Sequence, residues 1–264
     1  MIKAVFFDVD GTLMSHAQGC VPDGARRAVA RLRARGIKAF VATGRFKGEL
    51  EELHFLDGMG FDGYVGSNGQ YCWDLGGVFF ARPLDDGDVQ TVLKLSASVP
   101  FACGAVCESG LFINRVDDDV LRAQAGISTA IPPVRDLAEL AAREPFYQMI
   151  AFKPAPFDRE LVRALSNTDT ARWHARAFDL LPRGGGKHKG ARVLLERHGI
   201  RPDEALAIGD GENDLSLFRF AGASVAMGNA ADAVKASATY VTSSVDEDGI
   251  ERALRHFGLI DATI

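Results

Sequence analysis

The residues of this chain best suited to chemistry are two aspartates, Asp8 and Asp10, which end the apolar run Val5-Phe6-Phe7 within VFFDVDGTL. Residues two apart in extended chain point the same way, so the two carboxylates are expected to converge, and Gly11-Thr12 lets the backbone turn away sharply. Carboxylates held together repel. A divalent cation with oxygen ligands, or a lysine, relieves them most cheaply. A bare D-x-D also fits a solvated acidic turn after an edge strand, so the rest of the chain has to decide. A second acidic strand end bears on that choice: Asp210 follows Ala207-Ile208-Gly209 directly, and Asp214 comes one helical turn later, at an expected helix start.

These acids need elements to hold them. Val5, Phe6 and Phe7 are bulky and β-prone with no polar alternation, as in a strand buried on both faces of a parallel sheet, and ligands bind at the carboxyl ends of such strands. Residues 24–35 carry Ala25, Ala28, Val29 and Leu32 at helical spacing, with arginines opposite and Gly36 closing the run. IKAFVAT is another near-continuous apolar strand, ending in Thr43-Gly44-Arg45 before a helix over about Lys47 to Leu53. Strand, helix, strand, helix implies a right-handed parallel crossover. Thr43 then lies at the carboxyl edge beside Asp8 and Asp10, its hydroxyl and the following N–H able to hold an oxyanion, although Thr-Gly by itself is an ordinary turn. The rhythm resumes late in the chain. KHKGARVLLERHG reads as a helix stopped by Gly199, and EALAIGDGEND as a buried strand ending in acids. A short helix, the strand ASVAM, a helix over 230–236, the strand TYVT and a last helix over 247–257 follow. In a parallel sheet Asp210 falls on the same rim as Asp8.

The stretch between is of another kind. Residues 63–81 read as short strands broken by Asn68-Gly69 and Gly76-Gly77, both hairpin signals. Residues 82–182 show helices near 85–98, 117–125, 136–143 and 157–165, with strands near 101–107, 111–115, 147–152 and 171–175. The expected architecture is therefore α/β: a Rossmann-like parallel-sheet core formed by 1–81 and 183–264, with an inserted α+β domain over 82–182. The joins are Arg82-Pro83 and Pro182-Arg183-Gly184-Gly185-Gly186.

A chain of 264 residues with 47% hydrophobic content is long enough for a real core, and no repeat or low-complexity tract interrupts it. The net charge of −5 gives no general attraction to nucleic acid or to an anionic membrane, so neither is expected as a partner. The four cysteines form no C-x-x-C pair, and Cys103 and Cys107 share a strand face with Phe101 and Ala105. They read as reduced packing residues of a cytoplasmic protein. The first residues, a lysine and a short apolar run ending in acids, resemble neither a signal peptide nor a membrane span. A monomer or small homo-oligomer is expected, and the six histidines show no metal-ligand spacing.

FDVDGT, VATGR, a lysine opening a helix after a Gly-rich link, and IGDGENDL occur in the order and strand-end context of the haloacid dehalogenase-like phosphatases, which the whole chain resembles. The large insertion between the second and third elements is similar to that of the Cof-type subfamily, as are SNG at 67–69, VAMGNA at 225–230 and the EDG near the C-terminus. The resemblance implies that Asp8 is the nucleophile, forming an aspartyl-phosphate, and that Asp10 is the general acid and then base. It implies Mg²⁺ held by Asp8, the Asp10 backbone carbonyl and Asp210, with Asp214 a direct or water-mediated partner. Thr43 and the Gly44 N–H would bind phosphate oxygens, with Asn213 bracing the site. Two lysines compete for the remaining role. In the family the lysine stands twelve residues before the glycine ahead of Ile200, which selects Lys187, whereas a Lys-Gly pair would select Lys189. Lys187 is preferred, because two residues rotate a helical side chain to the opposite face.

The inserted domain is implied to be a cap that recognises the leaving group. Asn68, Arg115, Gln148, Trp173 and His174 are candidates there, none taken as a site residue. The expected function is thus a Mg²⁺-dependent phosphatase for small phosphorylated metabolites, a sugar phosphate or a phosphorylated cofactor. A phosphosugar mutase shares both aspartates. A non-catalytic binding module predicts the loss of a motif charge, and none is missing.

Overall fold

In a computed structural model, residues 1–54, 56–127 and 130–261 are described. In chain order the first elements are β1 (Ala4–Phe7), α1 (Asp23–Ala34), β2 (Lys38–Ala42), α2 (Lys47–Leu53), β3 (Gly63–Gly66), β4 (Tyr71–Asp74) and β5 (Gly77–Ala81). Next come α3 (Asp86–Ser98), β6 (Ala102–Cys107), β7 (Gly110–Ile113), α4 (Asp118–Ile127), α5 (Leu137–Ala141), β8 (Gln148–Phe152), α6 (Phe157–Leu161), β9 (Thr168–His174) and β10 (Ala177–Pro182). The last are α7 (Lys187–Arg197), β11 (Ala205–Gly209), α8 (Leu215–Phe218), β12 (Ala223–Ala226), α9 (Asp232–Lys235), β13 (Tyr240–Val241) and α10 (Gly249–His256). The chain divides into two compact units, Met1–Phe80 with Gly186–Ile264, and Ala81–Gly185.

The first unit is built on a sheet in the order β13-β12-β11-β1-β2-β3-β4-β5. It is parallel from β13 to β3 and turns antiparallel at β4. β1 shows why its sequence lacks alternation. Val5 and Phe7 join one apolar layer, with Leu32 of α1 and Leu254 of α10, while Ala4 and Phe6 join the other, with Leu194 of α7 and Leu217 of α8. Both faces are covered, so every position along the strand is apolar. β1 lies between β2 and β11, so the ends of these three strands bring Asp8, Thr43 and Asp210 to one rim.

The second unit has a five-stranded sheet in the order β7-β6-β8-β10-β9, antiparallel between all neighbours. Helices α3, α5 and α6 cover one face through Val89, Val92, Leu137 and Leu161, in a cluster that includes Cys103, Ala105 and Cys107. All four cysteines are free thiols, only Cys20 of them exposed. The sequence reading missed β10, a wholly buried strand between β8 and β9. Asp179 interrupts its apolar run and Pro182 ends it, so the segment was given no element of its own. The helix expected over 157–165 is α6 followed by a 3₁₀ turn, Val162–Ala164. Among the described residues no helix is long and apolar enough to cross a membrane.

Candidate active site

Asp8 follows β1 and continues its pairing through its N–H, which donates to the Ile208 carbonyl at 2.9 Å. The chain then turns. Thr12 N–H and Met14 N–H both donate to the Val9 carbonyl, and Gly11 takes φ +72°. Past the end of the strand each of the two acids has its own cation. Lys187 Nζ donates to Asp8 Oδ1 at 2.7 Å and to Asp214 Oδ1 at 2.6 Å. Asp10 instead receives Arg45 as a bidentate pair, Nε to Oδ2 and Nη2 to Oδ1, both at 2.7 Å. A fork of this kind is the strong form of a charge-assisted contact.

Lys187 is the first residue of α7 and is completely buried. Lys189, two positions on, is only half-buried. Burial by itself would depress the Lys187 ammonium, but Asp214 and Asp8 outweigh it and raise its pKa. For Asp8 burial is the largest influence, the Asp214 charge adds to it and Lys187 opposes it, leaving the carboxyl well above the ordinary range. Burial and then Asp214 push Asp210 up to about 7. The cluster therefore carries more negative charge than one lysine balances.

Asp210 accepts Thr12 Oγ1–H at 3.0 Å and Asn229 Nδ2–H at 3.2 Å, and Asn229 also donates to the Gly11 carbonyl. Asp214 lies in the 3₁₀ turn Glu212–Asp214 ahead of α8, and its Oδ2 accepts the Asp210 and Gly211 N–H groups, both at 3.0 Å. With Lys187 on Oδ1, three of its acceptor positions are filled. Two glycines make the room: a Cβ on Gly11 would fall 2.2 Å from Asp210 Oδ2, and one on Gly209 would fall 2.2 Å from Asp214 Oδ2.

Thr43 is 1% exposed, and its Oγ1 accepts the Arg45 N–H at 3.1 Å, which leaves the hydroxyl proton free to be donated. The Arg45 N–H thereby closes the turn, and α2 starts only at Lys47. Asn213 Nδ2 donates to Asn68 Oδ1 at 3.1 Å, and both side chains flank the open side of Gly44. Asn68, considered for the insertion, thus belongs to this rim. Sequence reasoning assigned no role to Arg45, Thr12 or Asn229. Each stands inside a quoted motif, and that placement was the signal available.

Asp8, Asp210 and Asp214 each bring one oxygen within 4.8 Å of the others. An oxygen-only, over-negative set of this kind fits a hard divalent cation. The Asp10 side chain stands outside it.

The family model for haloacid dehalogenase-like hydrolases matches residues 5–254. The chain belongs to this family, in its Cof-type branch. This hydrolase is 30% identical over 259 residues to YkrA of Bacillus subtilis (strain 168), covering 98% of each chain. It is 27% identical over 283 residues to the 5-amino-6-(5-phospho-D-ribitylamino)uracil phosphatase YwtE of the same organism, covering 94% of this chain and 96% of YwtE. Among solved structures, the sugar phosphatase BT4131 of subclass IIB superposes with a TM-score of 0.87 at 31% identity, covering 98% of this chain and all of the other.

Proposed function

We propose that this hydrolase is a phosphatase that cleaves small phosphate monoesters through an aspartyl-phosphate on Asp8. The observation that carries the reading is the separate cation given to each of two neighbouring acids: Lys187 on Asp8, Arg45 on Asp10. A nucleophile has to stay ionised, and a general acid has to exchange a proton, so the two need different surroundings.

Lys187 engages Asp8 Oδ1, and among the described residues Oδ2 has no hydrogen bond. Oδ2 attacks phosphorus, the bond from phosphorus to the ester oxygen breaks, and Asp10 gives its proton to that leaving oxygen. In the second step a water oxygen attacks phosphorus, Asp10 takes the water proton, and the bond to Asp8 breaks to release phosphate. Arg45 orients the Asp10 carboxyl through the two-point contact on its oxygens. Thr43 and Gly44 would hold phosphate oxygens, with Asn213 and Asn68 packed beside them. Asp8, Asp210 and the Asp10 carbonyl would hold Mg²⁺, with Asp214 fixing the turn that presents Asp210. When bound, the ion neutralises charge on the transferring phosphoryl group.

The 81–185 unit is read as the domain that selects the leaving group, and the likeness to a sugar phosphatase and to a phosphatase for a ribityl compound favours polyol or sugar phosphates. The test is phosphate release from a panel of sugar phosphates, pyridoxal phosphate, FMN and p-nitrophenyl phosphate, with Mg²⁺ and with EDTA. Release that EDTA abolishes is expected. No release with Mg²⁺ present, or isomerisation of a sugar phosphate without release, would overturn the reading.

A further inference from the structure

Among the described residues the Asp10 carboxyl takes hydrogen bonds from Arg45 alone. His16 Nε2, 3.8 Å from Asp10 Oδ1, is beyond hydrogen-bond reach. The aim of this carboxyl therefore depends on where Arg45 is held. Arg45 is a long side chain that is 8% exposed, and ordering it costs rotamer freedom. Its Nε and Nη2 are on Asp10, and its Nη1 donates to Glu49 Oε1. A guanidinium presents its donors in one rigid plane, so a carboxylate on the Nη1 edge also sets the direction of the edge that meets Asp10.

Glu49 is the third residue of α2, whose N-cap is Phe46. A glutamate at that position commonly folds back onto the N-cap N–H when a serine or threonine completes the box. Phe46 brings no side-chain cap, and the Glu49 carboxylate turns to Arg45 instead. The contact differs from an ordinary surface pair. Lys47 and Glu51 on the same helix stand 3.7 Å apart with side chains 38% and 64% exposed, whereas those of Arg45 and Glu49 are 7% and 23% exposed.

Charge gives a second reason for the contact. Burial works against the Arg45 guanidinium, but its contacts with Asp10 and Glu49 outweigh burial and raise its pKa. While Asp10 carries the proton of the reaction it no longer balances this buried cation. Glu49 takes no part in the transfer and keeps a counter-charge on Arg45 throughout.

We propose that Glu49 is a positioning residue: by holding the Nη1 edge of Arg45 it keeps the Asp10 carboxyl aimed at the leaving oxygen. The proposal rests on the phosphatase reading for the role of Asp10 as proton donor.

The readout is how much the leaving oxygen needs that proton. p-Nitrophenyl, phenyl and benzyl phosphate are similar in shape, and their leaving oxygens need a proton increasingly in that order. With Mg²⁺, Glu49→Ala should lower kcat/KM for benzyl phosphate about tenfold or more and that for p-nitrophenyl phosphate less than about threefold. Glu49→Gln, which keeps an acceptor for Nη1 without the charge, should fall between the parent and Glu49→Ala. Glu51→Ala, at an exposed position of the same helix, should leave the ratio of the two esters unchanged. Equal losses on all three esters, an unmoved ratio in Glu49→Ala, or an equal shift in Glu51→Ala would overturn the proposal and leave the phosphatase reading standing. No release from any ester by the parent would overturn that reading and this proposal with it.

Discussion

Lys187→Met removes one charge from between two buried carboxylates while keeping most of the volume of the stem. The ammonium has no exposure and touches Asp8 at 2.7 Å and Asp214 at 2.6 Å. Breaking a buried ion pair from one side costs about 3–5 kcal/mol, because the orphaned charge stays behind. For a unit of this size that lowers Tm by about 6–20 °C. The cost should depend on pH with a definite sign. Burial and Asp214 already raise the Asp8 carboxyl, and losing Lys187 removes the main charge that opposes them. An acid whose folded pKa lies above the unfolded value of about 3.9 loses stability as pH rises through that interval. The deficit of the variant should therefore be largest near pH 8 and shrink toward pH 5. Urea unfolding of both proteins in EDTA at the two pH values measures it. A loss below about 1 kcal/mol at pH 8, or an equal loss at both, would refute the reasoning. Lys189→Met, at a half-buried position, should stay within about 0.5 kcal/mol of the parent.

Three further outcomes follow from the same contacts. Arg45→Lys keeps the charge but loses the fork on Asp10, and kcat in a phosphate-release assay should fall about 10–100-fold with a smaller change in KM. Gly209→Ala places a Cβ against Asp214 Oδ2, so thermal unfolding should show a loss of about 1–3 kcal/mol together with weakened metal binding by calorimetry. In the other unit, burial works against Asp88, yet hydrogen bonds from Ser166, Thr168 and Asn167 hold its carboxyl below the usual range. Its contribution is present above the unfolded pKa of about 3.9 and disappears as pH falls through the lower folded value. Asp88→Asn should cost about 1.5–3 kcal/mol at pH 7 by urea unfolding, with less effect below pH 3.

The parallel core was readable because strands buried on both faces write unbroken apolar runs, and the rim was readable because polar residues appear where those runs stop. VFFD, FVAT and AIGD each name their own strand end. Lys187 was picked out by the residue count that the family resemblance implies, with helical register setting it apart from Lys189, and its Nζ lies 2.7 Å from Asp8 Oδ1. The contact of Arg45 with Asp10 was not legible, because it depends on how the turn at 43–46 folds back, and there the Arg45 N–H closes onto Thr43 Oγ1. Asn229 reaches Asp210 from the loop after β12, a separation no local pattern encodes. The strand β10 was lost because one buried acid, Asp179, stands in the middle of its six residues and breaks the apolar pattern.

The most direct test of a covalent phosphoryl transfer through Asp8 is acid-quenched rapid mixing with acetyl phosphate and Mg²⁺, followed by mass spectrometry of the peptide containing Asp8. A phosphoryl group should appear on Asp8 before free phosphate accumulates, persist longer in Asp10→Asn, and be absent in Asp8→Asn. Phosphate release with no labelled Asp8 at any time, or with the label on another residue, would contradict the account.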